Sequence, residues 1–155
     1  MFSNRRTILH VDDDPAFTSI VASSLEQAGF EVDSIHDPLE VIDAIRREQY
    51  QVVLLDVDMP VKSGMLLLSE IKYFDGGVQV IMLSGVVSHS IVIEALRCGA
   101  EDYLFKPFDD PELLIEVVSA SFRRIDRWWA AFRDLTKRQR TAQPEQAEAT
   151  TVATS

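Results

Sequence analysis

The chain has 155 residues, 46% of them hydrophobic, with 15 Lys and Arg against 25 Asp and Glu and a formal net charge of -10. That length suits one domain with a full core and a short appendage. The apolar runs are too short to span a bilayer. The start MFSNRRTILH lacks the apolar stretch of a secretion signal, and the single cysteine, Cys98, excludes an internal disulfide and fits a reducing, cytoplasmic compartment.

The charge is uneven. Residues 1–122 carry 8 Lys and Arg against 21 Asp and Glu, whereas residues 123–140 carry 7 against 2. An acidic body with a basic appendage is a poor nucleic-acid binder, because DNA affinity rests largely on neutralising phosphates. The charges of 123–140 flank an apolar stripe and read as a solvated helix face. No direct DNA binding is expected.

Thr7 to Val11 reads as a strand. Asp14-Pro15 then marks a helix start, since aspartate caps free N–H groups and proline suits the first helical position. Phe17, Ile20, Val21, Leu25 and Ala28 follow at helical spacing up to Gly29. Glu31 to Ile35 is a short alternating strand, and Asp37-Pro38 repeats the start signal before Leu39, Val41, Ile42 and Ile45. Gln51 to Asp56 reads as a buried strand. The loop from Met59 to Gly64 leads to a helix through Leu66, Leu67, Ile71 and Phe74, broken at Asp75-Gly76-Gly77. Val78 to Leu83 is the fourth strand, a helix through Ile91, Val92, Ala95 and Leu96 ends at Gly99, and Asp102 to Phe105 is the fifth strand. Five strands alternating with five helices imply an α/β fold, a doubly wound parallel sheet of flavodoxin-like type.

The last helix begins at Asp110-Pro111 and runs on to about Lys137 without Gly or Pro. Leu114, Val118, Ser121, Ile125, Trp128, Phe132 and Leu135 alternate spacings of four and three, a heptad seam. The first half can pack on the sheet. The second half, with Ile125, Trp128, Trp129, Phe132 and Leu135, is expected to project as an interaction surface. The division is a domain over 5–122, a helical extension over 123–140, and a polar tail over 141–155 expected to be disordered.

In a parallel sheet the carboxyl ends of neighbouring strands share one crevice. Asp12-Asp13-Asp14 follows the first strand and Asp56 ends the third, so several carboxylates crowd there and call for a hard cation with oxygen ligands, most simply Mg²⁺. Ser84 follows the fourth strand's apolar run and Lys106 the fifth's. A metal, a free aspartate, a hydroxyl and an ammonium together form a phosphoryl-handling site. Asp14 reads as a helix cap rather than a ligand, His10 as a core residue, Met59 and Met65 as packing, and Cys98 as a packed thiol.

ILHVDDDP, VVLLDVDMP, IMLSG and DYLFKPF, in that order, resemble the response-regulator receiver domain of two-component signalling over roughly residues 5–122. The resemblance implies that Asp56 accepts a phosphoryl group from a histidine kinase or phosphotransfer protein. It implies that Asp13 ligates Mg²⁺ directly, that Asp12 supports the metal, and that the backbone carbonyl of Asp58 is a further ligand. Ser84 matches the switch hydroxyl, Lys106 the lysine that pairs with the phosphoryl group, Tyr103 the switch aromatic, and Lys106-Pro107 a cis bond. Such a protein is a switch rather than a turnover enzyme. Its output would be protein contact, with a downstream target or in a homodimer through the last helix.

Two residues depart from the commoner pattern. Asp58 places an acid two positions after the acceptor. Val86, two positions after Ser84, has no side chain to orient a water, so a long-lived phosphorylated form is expected. Two alternatives remain open: a receiver fragment of a longer regulator whose effector is absent, and, more remotely, a phosphoaspartyl-type phosphohydrolase with Asp58 as general acid/base.

Overall fold

A computed structural model describes the backbone of residues 6–152 and the side chains of residues 6–143. The chain divides into two compact units between Phe122 and Arg123. In chain order the elements are β1 (Thr7–Val11), α1 (Pro15–Gln27), β2 (Glu31–Ile35), α2 (Val41–Glu48), β3 (Val52–Asp56), α3 (Gly64–Phe74), β4 (Gln79–Ser84), α4 (His89–Arg97), β5 (Asp102–Phe105) and α5 (Pro111–Val152).

The five strands form one sheet in the order β2-β1-β3-β4-β5, and every pair is parallel. This is the doubly wound arrangement expected from the alternation of elements. Central strands covered on both faces must be apolar throughout. Accordingly, every residue of β3 and β4 is buried, whereas the edge strand β2 has no buried residue. Successive side chains on a strand point to opposite faces. On one face Leu9, Val11, Val53, Leu55, Val80 and Met82 share a core with Val41, Ile45, Leu67, Leu68 and Ile71. The alternate positions Ile8, Leu54, Ile81 and Leu83 are also fully buried. Each such side chain contributes about 2 kcal/mol by leaving water.

Local chemistry sets the helix ends. The Asp14 carboxylate accepts the Ala16 N–H at 3.0 Å and the Phe17 N–H at 3.3 Å, with Pro15 in the first position. Gly29 and Gly99, after α1 and α4, both adopt φ of 95°, the left-handed conformation that costs glycine least. Asp37 also caps, through the Leu39 N–H at 2.9 Å. It opens only a single 3₁₀ turn, Pro38–Glu40, before α2 begins at Val41.

The last helix differs from the expectation. It continues past Lys137 to Val152. Residues 153–155 lie outside the described residues. Among the described residues, no helix is long and apolar enough to cross a membrane.

Candidate phosphoryl-handling site

The strand order reverses direction between β1 and β3, and ligands bind outside the carboxyl ends of strands at such a switch point. Register brings the chemistry there. Val11 pairs with Leu55, so Asp12 stands beside Asp56 one position further along. Asp56 pairs with Leu83 and Ser84 with Phe105, which brings Ser84 and Lys106 up to the same edge. The Lys106 N–H donates to the Ser84 carbonyl at 2.8 Å, fixing the β5 end against β4.

Asp12, Asp13 and Asp56 each offer a carboxylate oxygen within 4.8 Å of the others. Asp12 and Asp56 are 1% and 5% exposed. Three oxygen donors of formal charge, two of them buried, suit a hard divalent cation and not a soft one. The Asp58 side chain is exposed and outside this group. Its backbone N–H slightly favours the charged form of the Asp56 carboxyl. Asp14 is occupied as the α1 cap. Its own N–H donates to the Asp12 carboxylate at 3.0 Å, and the His36 ring donates from Nδ1 to the Asp12 carbonyl at 2.9 Å.

Lys106 provides the compensating cation. Its ammonium hydrogen-bonds the Asp12 carboxylate and lies 3.3 Å from Asp56 Oδ1. Burial pushes the Asp56 carboxyl up from 3.8 to about 6, with Lys106 opposing the rise and Asp12 adding to it. Its affinity for a proton is therefore raised. His10 is fully buried beneath the site, and neither ring nitrogen has a partner among the described residues. Burial lowers it to about 4, so it is a neutral imidazole at pH 7.

Ser84 is fully buried, and its hydroxyl accepts the Val86 N–H at 2.9 Å. Tyr103 packs on the core. Its hydroxyl is buried without a partner among the described residues, and its ring lies 5.2 Å from Phe105. The Lys106-Pro107 bond is cis.

Sequence reasoning missed two contributors. A Cβ on Gly64 would lie 1.9 Å from the Asp56 carbonyl oxygen, so α3 starts pressed against the backbone that carries Asp56. A glycine opening an otherwise apolar helix was the available signal, because glycine is a poor helix former. Phe17 was read only as a helix-face residue; its ring centroid lies 4.2 Å from the Lys106 ammonium.

Exposure varies along the expected helical stripe. Ile125 is buried and Trp129 half-buried, with the Trp129 ring 5.5 Å from that of Phe132. Trp128, Phe132 and Leu135 are half or more exposed. Seam spacing defines a face; it does not say how much of that face is covered.

The response regulator receiver domain model matches residues 8–118. Among curated proteins, the DNA-binding response regulator MtrA of Mycolicibacterium smegmatis is 34% identical over 124 residues, covering 80% of this chain and 54% of that protein. Chemotaxis protein CheY of Halobacterium salinarum is 28% identical over 109 residues, covering 70% of this chain and 91% of that protein. The chain spans about a quarter to about half of the length of several longer relatives. A solved CheY-like receiver domain from Methanospirillum hungatei superimposes with a TM-score of 0.76 at 28% identity, covering 80% of this chain and 98% of that one. The family match and the matching fold, with the acidic cluster at its switch point, make this chain a member of the response regulator receiver domain family.

Proposed function

We propose that Asp56 accepts a phosphoryl group from a histidine kinase or phosphotransfer protein in a Mg²⁺-dependent reaction, and that the product switches a protein-interaction surface. The observation that carries this reading is the convergence of Asp12, Asp13, Asp56, Ser84 and Lys106 at one sheet edge. The Asp56 carboxylate oxygen attacks phosphorus as the bond from phosphorus to the donor histidine nitrogen breaks. An acyl phosphate forms and neutral histidine leaves after taking a proton. Mg²⁺, held by the carboxylates of Asp12, Asp13 and Asp56 and the Asp58 backbone carbonyl, would neutralise charge on the transferring group. Lys106, already 3.3 Å from Asp56 Oδ1, supplies the protein's own positive charge to the same oxygens.

The Ser84 hydroxyl, which accepts the Val86 N–H, then donates its own proton to a phosphoryl oxygen. That movement draws in the loop after β4, and the neighbouring Tyr103, whose hydroxyl is buried without a partner among the described residues, follows it. The output surface is protein-facing, with a downstream target or a second copy bound through Trp128, Phe132 and Leu135. Family members are signalling proteins, and slow release of this protein's own phosphoryl group is the only turnover proposed. Partial coverage of longer relatives favours a second reading, in which this receiver controls an effector in a longer regulator.

The test is intact-mass measurement after incubation with phosphoramidate and Mg²⁺. One added phosphoryl group is expected, absent in Asp56→Asn and absent with EDTA. Modification that survives in Asp56→Asn would overturn the assignment. Light scattering with and without beryllofluoride then reports whether the switch changes assembly.

A further inference from the structure

We propose that Phe17 is a positioning residue for Lys106, holding the ammonium beside Asp56 through its aromatic face when the carboxylates are committed to a cation. The inference rests on the role given to Lys106 above. Phe17 reaches the site from the first turn of α1, and its centroid lies 4.2 Å from Lys106 Nζ. Its ring is itself held. The His10 ring packs against it edge-on, with centroids 5.7 Å apart and planes at 73°, and Phe108, from the segment after β5, lies 5.8 Å away. The start of the same turn is pinned by the Asp14 cap on the Phe17 N–H.

The physical need is clear from the charges. Lys106 pairs with Asp12 and Asp56. With Asp12 committed to a divalent cation, Lys106 loses its closest anionic partner and meets a like charge. An ordinary lysine would swing into water. The Phe17 quadrupole attracts the ammonium without using any oxygen that the cation needs, and a partly desolvated cation–π contact is among the stronger of its kind. Lys106 is half-buried, so the contact is partly shielded from solvent.

The test compares Phe17→Leu, which keeps apolar volume but removes the ring, with Phe17→Tyr and Phe17→Trp, which keep a ring. In nuclear magnetic resonance of the metal-free protein, the Lys106 Hε protons are expected to be shifted upfield by the ring current. The shift should persist when Mg²⁺ is added and vanish in Phe17→Leu. With phosphoramidate as donor, Phe17→Leu should be phosphorylated about tenfold more slowly, equivalent to about 1.4 kcal/mol, and the ring-bearing variants should recover the rate. Mg²⁺ affinity by calorimetry should stay equal or rise in Phe17→Leu, since the repelling ammonium is held less closely. A structural lesion would instead lower rate and Mg²⁺ affinity together.

An unshifted Lys106 resonance in the parent protein overturns the proposal. So does a Phe17→Leu rate equal to the parent's, or a Mg²⁺ affinity that falls with the rate. Failure of the parent protein to take up phosphate on Asp56 would instead refute the function proposed above, because the resonance measurement does not depend on phosphorylation.

Discussion

Replacing the proposed phosphoacceptor should make the metal-free protein more stable. The Asp56 carboxyl rises from 3.8 in the unfolded chain to about 6 in the fold. Between these values the folded state binds more protons than the unfolded state, so stability falls as pH rises through that window. Above it the fold bears the full penalty of a buried, poorly solvated carboxylate, about 3 kcal/mol. Asparagine has nearly the same shape and no charge, so Asp56→Asn removes both the desolvation and the repulsion from Asp12. The opposing 3.3 Å contact with Lys106 is already contained in that net rise, and Lys106 keeps Asp12 as its partner. The expectation is a gain of about 3 kcal/mol at pH 7.5, or about 12 °C in Tm for a domain of this size.

Scanning calorimetry in EDTA reads this directly. The advantage of Asp56→Asn should disappear near pH 4, where the parent's carboxyl is protonated in the fold. His10 contributes oppositely. Lowered from 6.5 to about 4, it adds stability that is complete above pH 6.5 and lost as pH falls through about 4. Both proteins share His10, so it cancels from the comparison but should leave Asp56→Asn growing more stable from pH 4 to 6.5. Added Mg²⁺ should raise the Tm of the parent far more than that of the variant. Equal Tm values at pH 7.5, or an advantage unchanged at pH 4, would refute the reasoning.

Gly64→Ala should cost about 3 kcal/mol or more in urea denaturation, because its Cβ meets backbone at 1.9 Å and 2.8 Å and not a side chain that can swing away. Val61, 84% exposed, adopts φ of 73°, a conformation unfavourable for a β-branched residue. Val61→Asn should stabilise the fold by about 1 kcal/mol, seen as a higher urea midpoint at unchanged slope. Trp128→Ala with Phe132→Ala should leave the Tm within about 2 °C, because both side chains are exposed, while abolishing any association seen by light scattering. Loss of phosphate from the purified protein should take longer than minutes and quicken in Val86→Glu. Loss within minutes in the parent would count against a role for residue 86.

Much of this protein is legible residue by residue. Strands β3 and β4 declare themselves as unbroken apolar runs because both their faces are covered. Asp14-Pro15 starts α1 because a cap and its first turn are neighbours in the chain. The acidic cluster is legible because Asp12, Asp13 and Asp56 stand at the carboxyl ends of two strands that a parallel sheet can set side by side, as β1 and β3 are here. The continuation of α5 past Lys137 was not legible, because beyond Leu135 no apolar periodicity marks a helix face.

What only the tertiary structure decided are contacts between residues distant in sequence. Lys106 hydrogen-bonds Asp12 across 94 positions, whereas the resemblance in the sequence places it only against the phosphoryl group. The Phe17 ring lies over Lys106 because α1 and the end of β5 meet at one edge of the sheet. Gly64 is required by the close approach of α3 to the backbone of β3. Local sequence specifies periodicity and caps through interactions within a turn or two. Strand order and register choose which distant side chains meet, and the chemistry of this site is made of those meetings.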